Sequence, residues 1–198
     1  MDRYIEQLEK RSEPRPLPAT TDLQRLRTAF SRFPTGVCVV TFEAEGVRRG
    51  ITVNSYTSVS FDPALLLVSI QRTASSHDLL LNRPFAVNVL GSSQEAVAMS
   101  FAGRPNDAPQ WLDGEIAPRL DGSIAWFECT PWADYDGGDH TLVLGEIQSF
   151  GSRRGDPLGF NGSRFTEISE TVLGREHLMS GNLCQPAMAP PILTASST

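Results

Sequence analysis

GVCVVTFEAEGVRRGITVNSYTSVSFDPALLLVSI, residues 36–70, decides how this chain folds. Two runs rich in Val, Ile, Thr and Phe flank Glu45-Gly46, where glycine supplies the positive φ that a tight turn needs. Residues 36–55 therefore predict a β-hairpin. A further strand is expected at ALLLVSI, beyond an Asp62-Pro63 turn. In between, residues 52–60 are dense in small and hydroxyl side chains, and local pattern alone reads them as the polar positions of an edge strand.

Strand patterns continue outward from this stretch: FAVNVL, SIAWFECTPWADY, HTLVLGEIQSFG and a shorter run near SRFTEI. The helical patterns are brief. Leu23, Leu26, Phe30 and Phe33 recur at three- and four-residue spacing after a Thr-Asp start, and the pattern closes at Pro34 and Gly36. SSHDLLLN gives a short helical turn, and SSQEAVAMSFA opens with Ser92 and Glu95 in capping-box spacing. No two strands are separated by a long crossover helix. About six or seven strands with brief helical insertions predict a mainly β fold with short helices, an antiparallel barrel or sandwich rather than a doubly wound sheet.

With 198 residues, 40% of them hydrophobic, the chain has enough apolar material for one substantial core. The expected division is an N-terminal arm over 1–20, one domain over 21–168 and a tail over 169–198. The arm ends in the proline-rich SEPRPLPAT, and the tail turns polar before QPAMAPPILTASST. A net charge of −6, a single lysine (Lys10) and no basic run longer than the pairs Arg48-Arg49 and Arg153-Arg154 argue against a nucleic-acid partner. Cys38, Cys129 and Cys184 are odd in number and far apart, which leaves neither a disulfide framework nor a CxxC site. The N-terminus MDRYIEQLEKRSEPRP has charges where a signal peptide needs an apolar core, and no apolar run reaches the roughly 18 residues of a membrane span. No membrane partner is expected, and a cytoplasmic protein is.

The chemical motifs narrow the field by absence. There is no GxGxxG after a strand, no GxxxxGK[ST], no GxSxG and no HExxH, so any nucleotide is held by something other than a Rossmann or P-loop turn. His77, His140 and His177 lack a second His or Cys at ligand spacing, and no metal site is expected. GGDHTLVLGEI places His140 at the mouth of a strand with Asp139 beside it to influence its tautomer. Taken alone, a capped turn with a solvated histidine is the commoner use of that pattern.

FSRFPTGVCVVT, GITVNSYTSVSFDPALLLVSI, RTASSH, FAVNVL, SQEAVAMSFAG and GGDHTLVLGEI occur in this order. Together they resemble the short-chain flavin reductase family, the reductase components of two-component flavin-dependent monooxygenases. The resemblance spans residues 22–168. It implies an FMN-binding split β-barrel, homodimeric, in which NADH or NADPH reduces FAD or FMN. The reduced flavin then leaves for a partner monooxygenase of aromatic-compound metabolism or natural-product biosynthesis. It further implies that Thr52, Val53, Asn54, Ser55, Ser58 and Val59 pack against the isoalloxazine, where small residues let the backbone approach the ring. Ser75 and Ser76 would meet the flavin phosphate, although a plain helix N-cap explains them equally well locally. Phe101 and Ala102 would flank the flavin, His140 would position the nicotinamide, and Arg164 and Phe165 match a late aromatic segment. Two departures stand out: Pro34 where the family commonly has Ala, and Phe160 or Phe165 where it commonly has Tyr. The competing readings are a pyridoxamine-phosphate-oxidase-like FMN enzyme, for which a second basic cluster is missing, a non-catalytic flavin- or haem-binding barrel, and a purely structural dimerisation domain.

Overall fold

The computed structural model describes residues 20–104 and 109–168, so the expected tail, and the arm apart from Thr20, lie outside the described residues. The described residues open with helix α1 (Thr20–Phe30) and a short strand β1 (Thr35–Gly36). The predicted hairpin follows as β2 (Cys38–Ala44) and β3 (Val47–Val53). Its two-residue turn has Glu45 at φ 56 and Gly46 at φ 72, the left-handed pair whose twist matches that of the flanking strands. Next come β4 (Thr57–Phe61), β5 (Ala64–Gln71), helix α2 (His77–Leu80), β6 (Phe85–Val89) and helix α3 (Glu95–Phe101). The short β7 (Trp111–Leu112) and β8 (Arg119–Leu120) lead to two long strands, β9 (Ala125–Gly137) and β10 (His140–Ser152), and then to β11 (Leu158–Asn161) and β12 (Arg164–Glu167).

Seven strands form one antiparallel sheet in the order β3-β2-β6-β9-β10-β5-β4, curled into a split barrel. Smaller sheets β1-β11-β12 and β7-β8 lie beside it. The expected strands are present, and the polar stretch proves to hold a strand of its own, β4, set off from β3 by the irregular residues 54–56. The pieces left unread, β1, β7, β8 and β11, have two to four residues each, too few to display a period.

β2 is buried on both faces, which explains its unbroken apolar run. Cys38, Val40 and Phe42 point into the barrel with Leu66, Val68 and Phe85. Val37 and Val39 pack on a second cluster, with Ala98 of α3, Leu90, Leu120 and Leu158. Burial pushes the Cys38 thiol up to about 12, and burial followed by the neighbouring Glu128 does the same to Cys129.

The expected helix α1 forms, and none of its residues is buried: Leu26 is 46% and Phe30 71% exposed. One sequence expectation is corrected. The capping box does not use Ser92 and Glu95. A 3-10 turn over Ser92–Gln94 takes Ser92 inside the helical segment, and the Gln94 side chain instead accepts the Gly91 N–H at 3.0 Å while donating to the Asp121 carbonyl at 2.9 Å.

The polar groups inside the fold pin the 113–120 segment onto the sheet. Asn88 donates to the Val39 carbonyl and to the Thr41 hydroxyl, and its Oδ1 accepts the Leu120 N–H at 2.8 Å. The fully buried carboxylate of Glu128 accepts the N–H groups of Ile116 and Ala117 and pairs with Arg119 Nε at 3.2 Å, while the Arg119 guanidinium lies 4.9 Å over the Trp126 ring. Removing one partner of a buried ion pair strands the other charge, a loss of about 3–5 kcal/mol. Glu128→Leu is accordingly expected to lower the unfolding free energy by about that amount in urea titrations. An unchanged midpoint would show that the segment folds without this anchor.

Candidate functional site

Where β3 leaves the sheet edge, residues 52–54 form a wall shared by two cavities. The first encloses about 200 Å³ and is completed by Val37, Ala102, Phe160 and Phe165. The second, about 210 Å³, is completed chiefly by Ser55, Ser69, Gln71, Ala74 and His140. Each is smaller than the roughly 300 Å³ at which ligand pockets usually begin.

The wall is built by its own hydroxyls. Thr52 donates to the Ala98 carbonyl at 2.7 Å, tying β3 to α3. Ser55 donates to the Ser69 carbonyl at 3.0 Å and accepts the Ser69 N–H at 2.9 Å, tying the chain after β3 to β5. These two side chains, expected to face a ligand, are thus committed to the protein. What remains available is the exposed Asn54 side chain and the backbone of an edge strand, whose outer N–H and C=O groups have no strand partner.

A flat heteroaromatic ring with one polar edge fits this arrangement. Phe160 and Phe165, edge to face with centroids 5.6 Å apart, give the first cavity an aromatic side, and Val37, Val53 and Ala102 add an aliphatic one. Thr35, paired with Phe160 across β1 and β11, holds a buried hydroxyl with no hydrogen-bond partner among the described residues. Among the described residues, no Arg or Lys lines either cavity.

His140 enters the second cavity from the turn between β9 and β10, with its side chain 37% exposed. Its Nδ1 lies 2.7 Å from Asp139 Oδ1. An ionised carboxylate only accepts, so Nδ1 carries the proton and Nε2 is left as the free ring nitrogen. The hydrogen bond from His140 is the main cause that holds the Asp139 carboxyl below its ordinary 3.8.

The cleft therefore brings together Thr52, Val53, Asn54, Ser55, Ala102, Phe165 and His140. Ser58 and Val59 belong to β4 and line neither cavity; Val59, 47% exposed, sits at a bulge in the β4–β5 pairing. Ser75 is exposed and Ser76 makes no side-chain cap bond; only their neighbour Ala74 reaches the second cavity. Phe101 packs inward, edge to face with Trp111 and against Gly50, where an added Cβ would stand 2.6 Å from the Phe101 ring. Arg164 is exposed on β12. Val37, Ser69, Gln71 and Ala74 escape sequence reasoning. Gln71 is legible only through the register that pairs it with His140, and Phe160 is visible in the sequence only as a departure from the family's Tyr.

A split barrel brings its edge strand, an aromatic side and a strand-mouth histidine to one cleft. The chain belongs to the flavin reductase-like domain family, whose model matches residues 30–169, and within it to the short-chain flavin reductases of two-component monooxygenases. It is 38% identical over 157 residues to the FMN reductase (NADH) SmoA of Agrobacterium fabrum, covering 77% of this chain and 90% of that one. It is 41% identical over 164 residues to the reductase component of the flavin-dependent trigonelline monooxygenase of Acinetobacter baylyi, covering 79% of this chain but only 53% of that longer protein. Among solved structures, the NADH:FAD oxidoreductase SgcE6 of Streptomyces globisporus, in complex with NAD and FAD fragments, superposes with a TM-score of 0.70 at 36% identity, covering 79% of this chain and 99% of that one.

The His140–Asp139 bond has a titration signature. A carboxyl with a depressed pKa contributes its interaction above the ordinary carboxylate range and loses it as the pH falls through the folded value. Carboxyl-carbon NMR is expected to place the Asp139 midpoint below 3.8 and to return it towards that value in His140→Ala. An identical midpoint in both proteins would remove the bond from the account.

Proposed function

We propose that this chain oxidises NADH and passes the electrons to FAD or FMN, which then leaves to serve a separate monooxygenase. The observation that carries this reading is the pair of cavities on one small-residue wall, one with an aromatic side and one ending at His140. Bound flavin supplies the chemistry, accepting a hydride from the nicotinamide and carrying the electron pair away. The protein's part is to bind and orient. The edge backbone at residues 52–54 and Asn54 would hold the polar rim of the ring, and Phe160 and Phe165 would exclude water from one side. His140 presents Nε2 to the donor's carboxamide and moves no proton in hydride transfer.

NADH is the donor this cleft favours. Among the described residues no cation lines it for a 2′-phosphate, and Arg72, next in the chain to Gln71, already pairs with Asp136 at 2.7 Å. With one charge-assisted contact missing, kcat/KM for NADH should exceed that for NADPH by about tenfold or more. The test is steady-state oxidation of each donor with FAD, FMN and riboflavin, alongside His140→Ala. The expected result is flavin-dependent loss of NADH absorbance and a KM for NADH about tenfold higher in the variant, with kcat less affected. Absence of flavin-dependent turnover would leave a binding barrel, and an unchanged KM would remove His140 from donor binding.

We also propose that the protein works as a homodimer in the cytoplasm, where the NADH pool lies. Two observations support a second copy: α1 has no buried residue among the described residues, and Phe33 and Phe150 are strongly exposed, at 77% and 74%. No helix among the described residues is long and apolar enough to cross a membrane. Light scattering after gel filtration is expected to give twice the chain mass for the wild type and a monomer for Phe30→Asp with Phe150→Asp. A wild-type monomer overturns the assembly.

A further inference from the structure

We propose that His77 is a positioning residue that holds the His140 side of the cleft in place through Thr141, an inference that rests on the function proposed above. His77 opens α2, immediately after RTASS, and is only 4% exposed. Its Nδ1 lies 2.7 Å from Asp78 Oδ1 and its Nε2 2.8 Å from Thr141 Oγ1. Because the Asp78 carboxylate can only accept, Nδ1 donates to it, and the second nitrogen faces the Thr141 hydroxyl. Asp78 and Asp134 are the charged groups that face the ring; the Asp134 carboxyl, raised by burial, is drawn partly back by His77.

Thr141 is itself 5% exposed and directly follows His140 on β10. In the sheet His140 pairs with Gln71 and Thr141 with Ile70, so a bond from His77 to Thr141 closes a ring of chain: β5, the 72–76 loop, His77, and back to β10. The same loop is tied a second time. Arg72 donates from its backbone N–H to the Asp139 carbonyl at 2.9 Å, from Nε to the Gly138 carbonyl at 3.0 Å, and from its terminal nitrogen to Asp136 Oδ1. Ala74 and His140, which meet across the second cavity, are thereby carried by one braced unit. Arg72 fixes the turn before His140, and His77 fixes the residue after it. The brace does not reach the first cavity, whose lining shares only residues 52–54 with the second.

A buried imidazole bonded to a threonine hydroxyl is also what ordinary core packing provides, so the test must read function apart from stability. Four variants serve: His77→Leu removes both bonds, Thr141→Val removes the hydroxyl at constant shape, His77→Gln keeps an amide within reach of Thr141, and His77→Leu with His140→Ala combines the two sites. Steady-state kinetics with NADH, riboflavin affinity by fluorescence quenching and thermal unfolding are measured on each full-length protein. The expected result is a KM for NADH raised about tenfold in His77→Leu and Thr141→Val, with kcat and riboflavin affinity within about twofold of wild type. His77→Gln is expected to recover most of the loss, and His77→Leu to have no further effect on KM once His140 is gone. Equal losses of riboflavin affinity and NADH binding, a lowered melting temperature with unchanged KM, or additive effects of His77→Leu and His140→Ala would each overturn the positioning role. If the wild type neither binds riboflavin nor oxidises NADH, it is the proposed function that fails.

Discussion

The cleft depends on the double hydrogen bond between the Ser55 hydroxyl and the backbone of Ser69. Between β3 and β4 the chain must leave one edge of the sheet and join the other, and an unsupported crossing would leave backbone donors and acceptors to water. Ser55 satisfies both groups of Ser69 and holds the crossing against β5, while Thr52 holds its start against α3. With these two hydroxyls turned inward, the backbone of residues 52–54 is rigid and still open on its outer side. A ligand edge can therefore be read by main chain at a site whose side chains are too small to intrude.

The same economy of polar contacts recurs elsewhere. Asn88 and Glu128 each satisfy several backbone groups and draw the 113–120 segment over the outer face of the sheet. Arg72 and His77 brace the loop after β5 against the turn before β10. In all three places a polar side chain, buried at Asn88, Glu128 and His77 but exposed at Arg72, replaces the regular ladder where the chain departs from it. The core contributes volume and the apolar driving force, and these few side chains settle where the irregular segments lie.

Much of the fold was legible in the sequence because the barrel strands have a local signature. The hairpin at Glu45-Gly46 is written in a glycine at a left-handed position, and ALLLVSI and HTLVLGEIQSFG in runs of β-branched and aliphatic residues. The candidate site was legible in outline, since residues 52–55 and His140 do face one cleft. The roles of individual hydroxyls were not. Nothing local separates Ser55, which bonds Ser69, from Ser58, which sits on β4 away from both cavities. The outcome depends on a partner strand whose register the sequence does not state.

By itself, then, the sequence determined the class of fold and where the longer strands lie along the chain, because turn chemistry and side-chain period act over neighbouring residues. Tertiary structure alone decided that Phe160 and Phe165 meet across a hairpin, that Val37, Gln71 and Ala74 complete the cleft, that Phe101 turns into the core, and that His77 reaches Thr141. The His77–Thr141 contact alone joins residues 64 positions apart. These contacts exist only once the register of the antiparallel sheet has been set by the burial of β2, β5 and β6 in a common core.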